Sequence, residues 1–241
     1  MDCNKKGVGL FFEVFFGNFR DLMKLNLIFC CFAVPSAAAL LVGFSGVLTG
    51  YMYLLALILA FPIGGALAAY VFCITKMLRD EPGYVWYDFK RKFAENYKQA
   101  AAPGMLSAVF VYIQIILWAS MIAGDNDTEF FIMVMGLIFL LLFGMVMPYV
   151  FLQIAYIDLK LSQILKNSVL ISFMNAPRSF IGAVSGGFIW AAFVIFLPQS
   201  LLAIPLILLI GFSFSWLLNL IWVWPSVDKQ FKIGETLRDR R

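Results

Sequence analysis

The chain has 241 residues, of which 63% are hydrophobic and 13% are charged, whereas soluble domains are about half apolar and about a quarter charged. This composition excludes a soluble globular fold, because a soluble core cannot bury so much apolar surface and a lipid bilayer can. The net charge of +4 does not indicate nucleic-acid binding, since the basic residues are confined to certain loops and leave no basic face for a duplex. We therefore expect an all-α, polytopic membrane helix bundle.

The first predicted element is an amphipathic helix over residues 8–24. Glu13 and Arg20 recur at helical spacing on one face of this segment, while Phe12 and Phe16 occupy the other face. Helices of this kind lie in the plane of the lipid headgroups with their aromatic residues inward. The alternative is a cytoplasmic helix that packs on the ends of the chain's own spans.

Long uncharged runs follow, and they predict six membrane spans of the length that a bilayer requires. The run from Leu25 to Thr75 holds two spans separated at Gly46 to Gly50, and the last run holds two more, separated around Pro198-Gln199-Ser200. The predicted spans are Leu25–Val47, Tyr51–Leu78, Ala101–Ala123, Phe130–Ile157, Phe180–Leu197 and Leu201–Trp224. We expect residues 1–241 to form a single integral membrane domain.

A second interfacial helix is predicted over residues 84–99, between the second and third spans. Trp86, Phe89, Phe93 and Tyr97 form a stripe at helical spacing, and a cluster of charged residues lies beside it. This pattern is again typical of a helix in the headgroup plane. Packing on the ends of the chain's own spans is again the alternative.

The distribution of basic residues predicts the orientation in the membrane. All 18 Lys and Arg residues fall in segments 5–24, 76–98, 160–178 and 229–241, which six spans place on one side. The opposite side carries only the acidic residues Asp125, Asp127 and Glu129. Because basic residues concentrate in cytoplasmic loops, we expect both termini in the cytoplasm of a protein of the plasma membrane.

A weak internal repeat divides the chain into three units. The segments GNFRD around Asn18, ENYKQ around Asn96 and MNAPR around Asn175 recur at intervals of roughly 78 residues. Each segment precedes a pair of predicted spans. The chain is therefore predicted to contain three repeats of an amphipathic helix plus a transmembrane hairpin, with coincidence as the alternative.

Strongly polar side chains are scarce inside the spans, where Gln114, Gln153 and Asn219 are expected. Such residues either line a substrate path or hydrogen-bond a neighbouring helix. Membrane enzymes and ion-coupled carriers generally need ionisable groups at membrane depth, and the predicted spans carry none. Histidine is absent, and neither a P-loop nor a G-x-S-x-G motif occurs. We therefore expect no catalytic residues, no metal site and no cofactor.

Small residues are concentrated in the second and fifth spans. The second span contains Gly64-Gly65-Ala66, and the fifth contains Gly182 and Gly186 in a G-x-x-x-G pattern. Small residues let helices approach closely. The contact they form lies either within the protein or between subunits.

One stretch, from Tyr70 to Ala100, combines several polar and aromatic motifs. It contains a K-x-x-R-[DE]-E turn, an aromatic-rich helix and an F-x-x-N-[FY]-K-Q segment, here Lys76, Arg79, Asp80, Glu81, Tyr84 to Phe89, Phe93, Asn96, Tyr97, Lys98 and Gln99. With these motifs the chain resembles the YesL family of bacterial membrane proteins, a domain of unknown function. The opening segment from Phe11 to Phe29 is also similar to that family.

The resemblance implies a function connected with carbohydrate uptake, since YesL proteins are often encoded beside sugar ABC transporters. It favours an auxiliary or scaffold subunit whose partners are the lipid bilayer and either ABC permease subunits or a second copy of the chain. The alternative is a small-solute transporter or channel in its own right. An enzyme is the third and least favoured hypothesis.

The polar residues of the family-like stretch are predicted to fix a cytoplasmic turn and to form a docking surface. Lys76 and Arg79 lie one turn apart at a predicted helix C-terminus, where cations offset the negative end of the helix dipole. Asp80 and Glu81 precede the turn, and the amide of Asn96 is expected to bond carbonyls at the span ends. Stabilisation of the local structure alone is the alternative.

Overall fold

A computed structural model describes the chain over residues 7–46, 48–123, 127–196 and 203–234. Within these ranges it does not describe the side chains of residues 118–130, 133 and 191–203. Within these ranges every regular element is helical. The helices are α1 (Val8–Gly17), α2 (Phe19–Phe44), α3 (Thr49–Ala60), α4 (Ile63–Leu78), α5 (Val85–Ala123), α6 (Asp127–Tyr156), α7 (Leu161–Met174), α8 (Ala176–Phe196), α9 (Ala203–Leu206) and α10 (Phe212–Phe231), with a π-helical turn (Ile207–Gly211) before α10. The all-α fold class is confirmed for these residues.

Several of these helices are long and apolar enough to cross a membrane. The described residues contain four candidate spans, or five if the bent pair α3 and α4, which meet at 40°, counts as one. The four are Phe19–Phe44, Val85–Leu117, Val134–Tyr156 and Ile204–Phe231. The fifth predicted span, Phe180–Leu197, overlaps α8. That helix is not among the candidate spans of the described residues, in which its side chains end at Trp190. The structure thus gives a membrane protein with four to five candidate spans, and the count of six remains a prediction.

The second predicted span, residues 51–78, is divided into two helices. Pro62 stands at the N-cap of α4 with φ −74°, and α3 ends two residues before it. Proline lacks the N–H that would continue the ladder, and its ring crowds the preceding turn. The interruption at this point bends the span.

The two predicted interfacial segments differ from expectation in their boundaries. Residues 8–24 are divided, because α1 ends before Asn18 and α2 begins after it. Residues 84–99 instead continue without a break into the third predicted span, as the 39-residue helix α5. The rings of Phe89 and Phe93 lie 6.1 Å and 5.3 Å from the ring of Phe32 on α2. Phe89 and Phe93 of this aromatic stripe therefore pack on the chain's own helix, whereas Trp86 is 64% exposed.

Helix α7 occupies a basic segment for which no helix bounds were predicted, although the repeat around Asn175 implies an amphipathic helix there. It follows a short loop after α6, and Asn175 alone separates it from α8. The predicted turn around Pro198-Gln199-Ser200 and the side chains of the acidic outer loop, residues 125–129, lie outside the described part of the chain. The two ends of the chain, residues 1–6 and 235–241, do so as well.

The hydrophobic core lies where α4, α6 and α10 pack against one another. Tyr70, Tyr149 and Leu217, one from each helix, are 0% exposed. Around this centre, α2 packs on α3, α5 on α4 and α6, and α8 on α10. The closest crossing joins α4 to α5 at Gly64 and Gly104, where neither residue has space for a Cβ. These contacts position the charged residues at the end of α4.

Candidate functional site

A cavity of about 520 Å³ opens between the α1–α2 junction, the end of α4 and the loop that leads into α5. Four carboxylates line it, those of Asp21, Asp80, Glu81 and Asp88, together with the ammonium group of Lys76. Asp80 is exposed and has a left-handed backbone with φ 54°, which turns the chain sharply after α4. The cavity therefore brings together much of the polar turn that the sequence predicted. Three of its four acids are paired with cations, Asp21 with Lys24, Glu81 with Arg79 and Asp88 with Lys76.

A buried ion pair forms one wall of this cavity. Lys76 Nζ lies 2.6 Å from Asp88 Oδ2, and the two side chains are 17% and 8% exposed. Arg91 Nη2 lies 3.4 Å from the other carboxylate oxygen of Asp88. Gly83 covers the pair so closely that a Cβ there would overlap both Lys76 Nζ and Asp88 Oδ2. The pair thus ties the end of α4 to the first turn of α5.

Asp88 was not among the predicted site residues, although the sequence contains a signal for it. An acidic residue in the first turn of a helix stabilises the positive end of the helix dipole, and Asp88 is the acid in the first turn of α5. The breaker pair Pro82-Gly83 marks the helix start. The sequence did not show which cation Asp88 would contact, because that depends on how α4 and α5 pack against each other.

The guanidinium of Arg79 joins three helices. Its Nη2 donates to Glu81 Oε2 at 3.2 Å, and the Arg79 side chain is 12% exposed. The Arg79 Cζ atom lies 5.0 Å from the ring centre of Tyr156 on α6 and 5.1 Å from that of Trp224 on α10. Nε and Nη1 have no hydrogen-bond partner among the described residues, and the two aromatic faces provide the attraction to the cation instead. Arg79 therefore holds α4, α6 and α10 together.

The other signature residues, on α5, have separate roles. Asn96 Nδ2 donates to Lys92 O, one turn back in its own helix, at 3.0 Å, so the expectation that it bonds the end of another span is wrong. Gln99 makes that kind of contact instead, since its Nε2 donates to Leu159 O in the loop after α6. Lys98 is exposed. The structure therefore does not gather these three residues at the cavity.

The three polar residues predicted inside the spans lie at three different helix contacts. Gln114 Nε2 donates to Gly136 O on α6 at 3.1 Å, and Gln153 Nε2 donates to Ser168 Oγ on α7 at 2.8 Å. Asn219, on the face of α10 that packs on α8, is 8% exposed. The amide oxygen of each of the three has no hydrogen-bond partner among the described residues. None of them lines the cavity described above.

Asn26 is a fourth buried amide, at the start of the first predicted span, and the sequence analysis did not single it out. It is 0% exposed, and its Nδ2 donates to Ile207 O at 3.1 Å and to Leu208 O at 2.6 Å. Its Oδ1 accepts the N–H of Ser213 at 2.9 Å, and the Ser213 hydroxyl lies 2.8 Å from that of Tyr70. Asn26 thus bonds two backbone carbonyls of the π-helical turn. The regular pattern of helix hydrogen bonds is interrupted there, and buried backbone groups need other partners.

The small residues of α8 serve contacts within the protein. A Cβ at Gly182 would lie 3.2 Å from Asn219 O, and a Cβ at Gly186 would lie 3.2 Å from Ser215 O. Both glycines therefore face α10. Of the two interpretations of the G-x-x-x-G pattern, the structure supports internal packing.

A family model described as "Protein of unknown function, DUF624" matches residues 22–118. The match extends from α2 through most of α5 and includes the turn that lines the cavity, but it covers less than half of the 241-residue chain. No curated protein and no solved structure matches the chain. The similarity is thus to a family of unknown function, and it assigns no chemical role to any residue.

Proposed function

We propose that the chain is a YesL-type multi-pass protein of the plasma membrane that acts, without catalysis of its own, as an auxiliary or scaffold subunit of an ABC-type sugar permease. The observation that carries this proposal is the use of the buried polar side chains. Asn26, Gln114 and Gln153 bond helices of the same chain, and Arg79 packs against two neighbouring aromatic rings. Such contacts favour a rigid bundle that holds partners over one that performs chemistry.

The docking surface of this proposal comprises the exposed polar residues around and beside the cavity. Asp80 and Lys98 are exposed, and Asp21 is 40% exposed on the far side of the cavity. Asp21 is paired with Lys24, so the acid that would attract a basic loop of a permease is Asp80, because complementary charge steers association. Lys76 and Arg79 are mostly buried, and their contacts within the protein hold the residues of this surface in place.

The experiment is affinity purification of the full chain in mild detergent, followed by identification of ABC permease subunits in the eluate. Asp80→Lys is expected to reduce their recovery several-fold without lowering the thermal stability of the chain. Asp158→Lys is the matched control, since Asp158 is also an exposed acid but does not line the cavity. Equal recovery with both variants, or no permease subunit with the unmodified chain, would contradict the proposal.

The proposed topology has six spans in three repeats, with both termini in the cytoplasm. Its support is that Asn18, Asn96 and Asn175 make the same bond, from Nδ2 to the carbonyl four residues earlier, at 3.2, 3.0 and 3.1 Å. Asn18 and Asn175 also stand at the same kind of break, between a short helix and a long one. Corresponding geometry at corresponding positions is expected of structural repeats.

Reporter fusions test this topology. Fusions at Gly83 and Lys232 are expected to report a cytoplasmic location, and fusions at Gly124 and Pro198 the opposite side. An external signal at Gly83 would exclude the six-span arrangement.

A second candidate function is transport of a small hydroxylated solute. Its specific support is that Gln114, Gln153 and Asn219 each keep a buried amide oxygen without a hydrogen-bond partner among the described residues, and buried acceptors normally have one. Sugar flux into proteoliposomes would then be lost with Gln153→Leu and kept with Ser168→Ala, which leaves the amide in place. Absence of flux with the unmodified chain would exclude this function.

A further inference from the structure

Helix α7 exposes a row of apolar side chains, although its buried face holds Ile164 and Ile171 as well as serines. Leu165, Val169 and Phe173 follow one another along a single face and are 37%, 45% and 57% exposed. The opposite face is buried and includes Ser168 and Ser172, each 0% exposed, whose hydroxyls bond α6. A helix that presents such a stripe to water forgoes the free energy of burying it, so the stripe requires an apolar cover.

Helix α1 has the same exposed stripe at a constant offset in the sequence. The corresponding pairs, each 157 residues apart, are Val8 and Leu165, Phe12 and Val169, and Phe16 and Phe173. In α1 the three side chains are 63%, 52% and 69% exposed. The two stripes therefore match in position along the helix and in exposure.

The buried sides and the ends of the two helices match at the same offset. Val14 is 0% exposed and Ile171 is 4% exposed. Asn18, with φ −116° and ψ 21°, ends α1, and Asn175, with φ −113° and ψ 35°, ends α7. Each asparagine then leads directly into a long helix. Helices α1 and α7 are thus equivalent elements of the first and third repeats.

The middle repeat departs from this pattern. The position that corresponds to Phe12 and Val169 is occupied by Lys90, which is exposed, and α5 continues through Asn96 without a break. An exposed lysine at this position suits water. Trp86, which corresponds to Val8 and Leu165, is 64% exposed, so the middle repeat interrupts the apolar stripe at Lys90 rather than lacking it altogether. The uninterrupted stripe is a property of the first and third repeats.

We propose that α1 and α7 form a pair of membrane-surface helices whose exposed apolar stripes insert among the acyl chains at the surface of the bilayer. Continuity with neighbouring apolar surface supports this occupant. Helix α7 runs through Asn175 into α8, on which Phe180 and Ile181 are 48% and 42% exposed, and α1 runs into α2, on which Leu27 is 46% exposed. The same lipid that covers these side chains extends to the stripes.

Charge complementarity supports the same occupant. Lys160, Lys166 and Arg178 flank the stripe of α7 and are exposed, and Arg20 is exposed just after α1. Basic residues beside an inserted apolar face bind the phosphates of lipid headgroups.

The experiment places spin labels on the full chain in phosphatidylcholine vesicles that contain phosphatidylglycerol. The labelled sites are Val169→Cys in α7 and Phe12→Cys in α1, with Lys90→Cys as the matched control at the corresponding position of the middle repeat. Cys3 and Cys31 are replaced by serine in all variants, whereas Cys30 and Cys73 are buried and remain.

The measured quantity is the ratio of collisions with dissolved oxygen, which enters lipid, to collisions with a water-soluble nickel chelate. The ratio is expected to be several-fold higher at positions 169 and 12 than at position 90. A ratio at 169 equal to that at 90 would overturn the proposal, because the stripe would then face water. Immobile labels with few collisions of either kind would also overturn it, since a protein partner or a second copy would then cover the stripe. Phe173→Cys and Phe16→Cys repeat the measurement if either first variant fails to fold.

Discussion

Replacing Gly64 by alanine is expected to force α4 away from α5. A Cβ at this position would overlap the carbonyl oxygen of Ala100 and would lie 2.7 Å from its carbonyl carbon and 3.0 Å from the Cα of Gly104. All three atoms belong to helix backbone, so no side chain can rotate out of the way. Overpacking costs about 1–3 kcal/mol, and alanine recovers about 0.5–1 kcal/mol over glycine inside a helix. We expect a net loss of about 1–2 kcal/mol, which corresponds to a fall in Tm of roughly 2–8 °C.

Thermal unfolding in detergent with a thiol-reactive dye measures this change. With Cys3 and the exposed Cys31 replaced by serine in every variant, the dye reports the exposure of Cys30 and Cys73, both of which are buried in the folded chain. Gly187→Ala in α8 is the matched control, because its Cβ would meet nothing within 4 Å and the substitution should leave Tm unchanged or raise it. If the two variants unfold at the same temperature, the α4–α5 contact does not have the geometry described here.

Three further substitutions test the polar contacts by the same unfolding assay. Lys76→Ala leaves the buried Asp88 carboxylate without its closest cation and is expected to cost about 3 kcal/mol; a second change, Asp88→Ala, should recover part of this loss, and strictly additive effects would contradict the pairing. Arg79→Lys keeps the charge but removes the planar group that contacts the rings of Tyr156 and Trp224, for a loss of about 1–2 kcal/mol; an unchanged Tm would show that these ring contacts contribute nothing. Asn26→Leu leaves two carbonyls and the N–H of Ser213 unsatisfied, at about 1–3 kcal/mol for a buried group; hydrogen exchange at the Ser213 amide should accelerate, and unaltered exchange would refute the role given to Asn26.

The membrane-spanning helices were predictable because their signal is local. A charge-free run from Leu25 to Thr75 exceeds what one span needs, and the structure divides it into α2, α3 and α4. The bend between α3 and α4 also has a local cause, the missing N–H of Pro62. Helix α7 was implied only by the repeat around Asn175 and received no bounds, because its segment is basic and the face that it buries against α6 includes serines.

The sequence by itself determined that the protein is helical and belongs in a membrane, since both follow from composition and from the length of apolar runs. Only the tertiary structure decided which polar groups meet. Lys76 pairs with Asp88 across the α4–α5 turn, and Arg79 reaches the rings of Tyr156 and Trp224 on helices far along the chain. These contacts depend on how each helix is rotated and where it crosses its neighbours, and side-chain packing between helices sets both quantities. The periodicity of one segment contains no information on the partner that it will face.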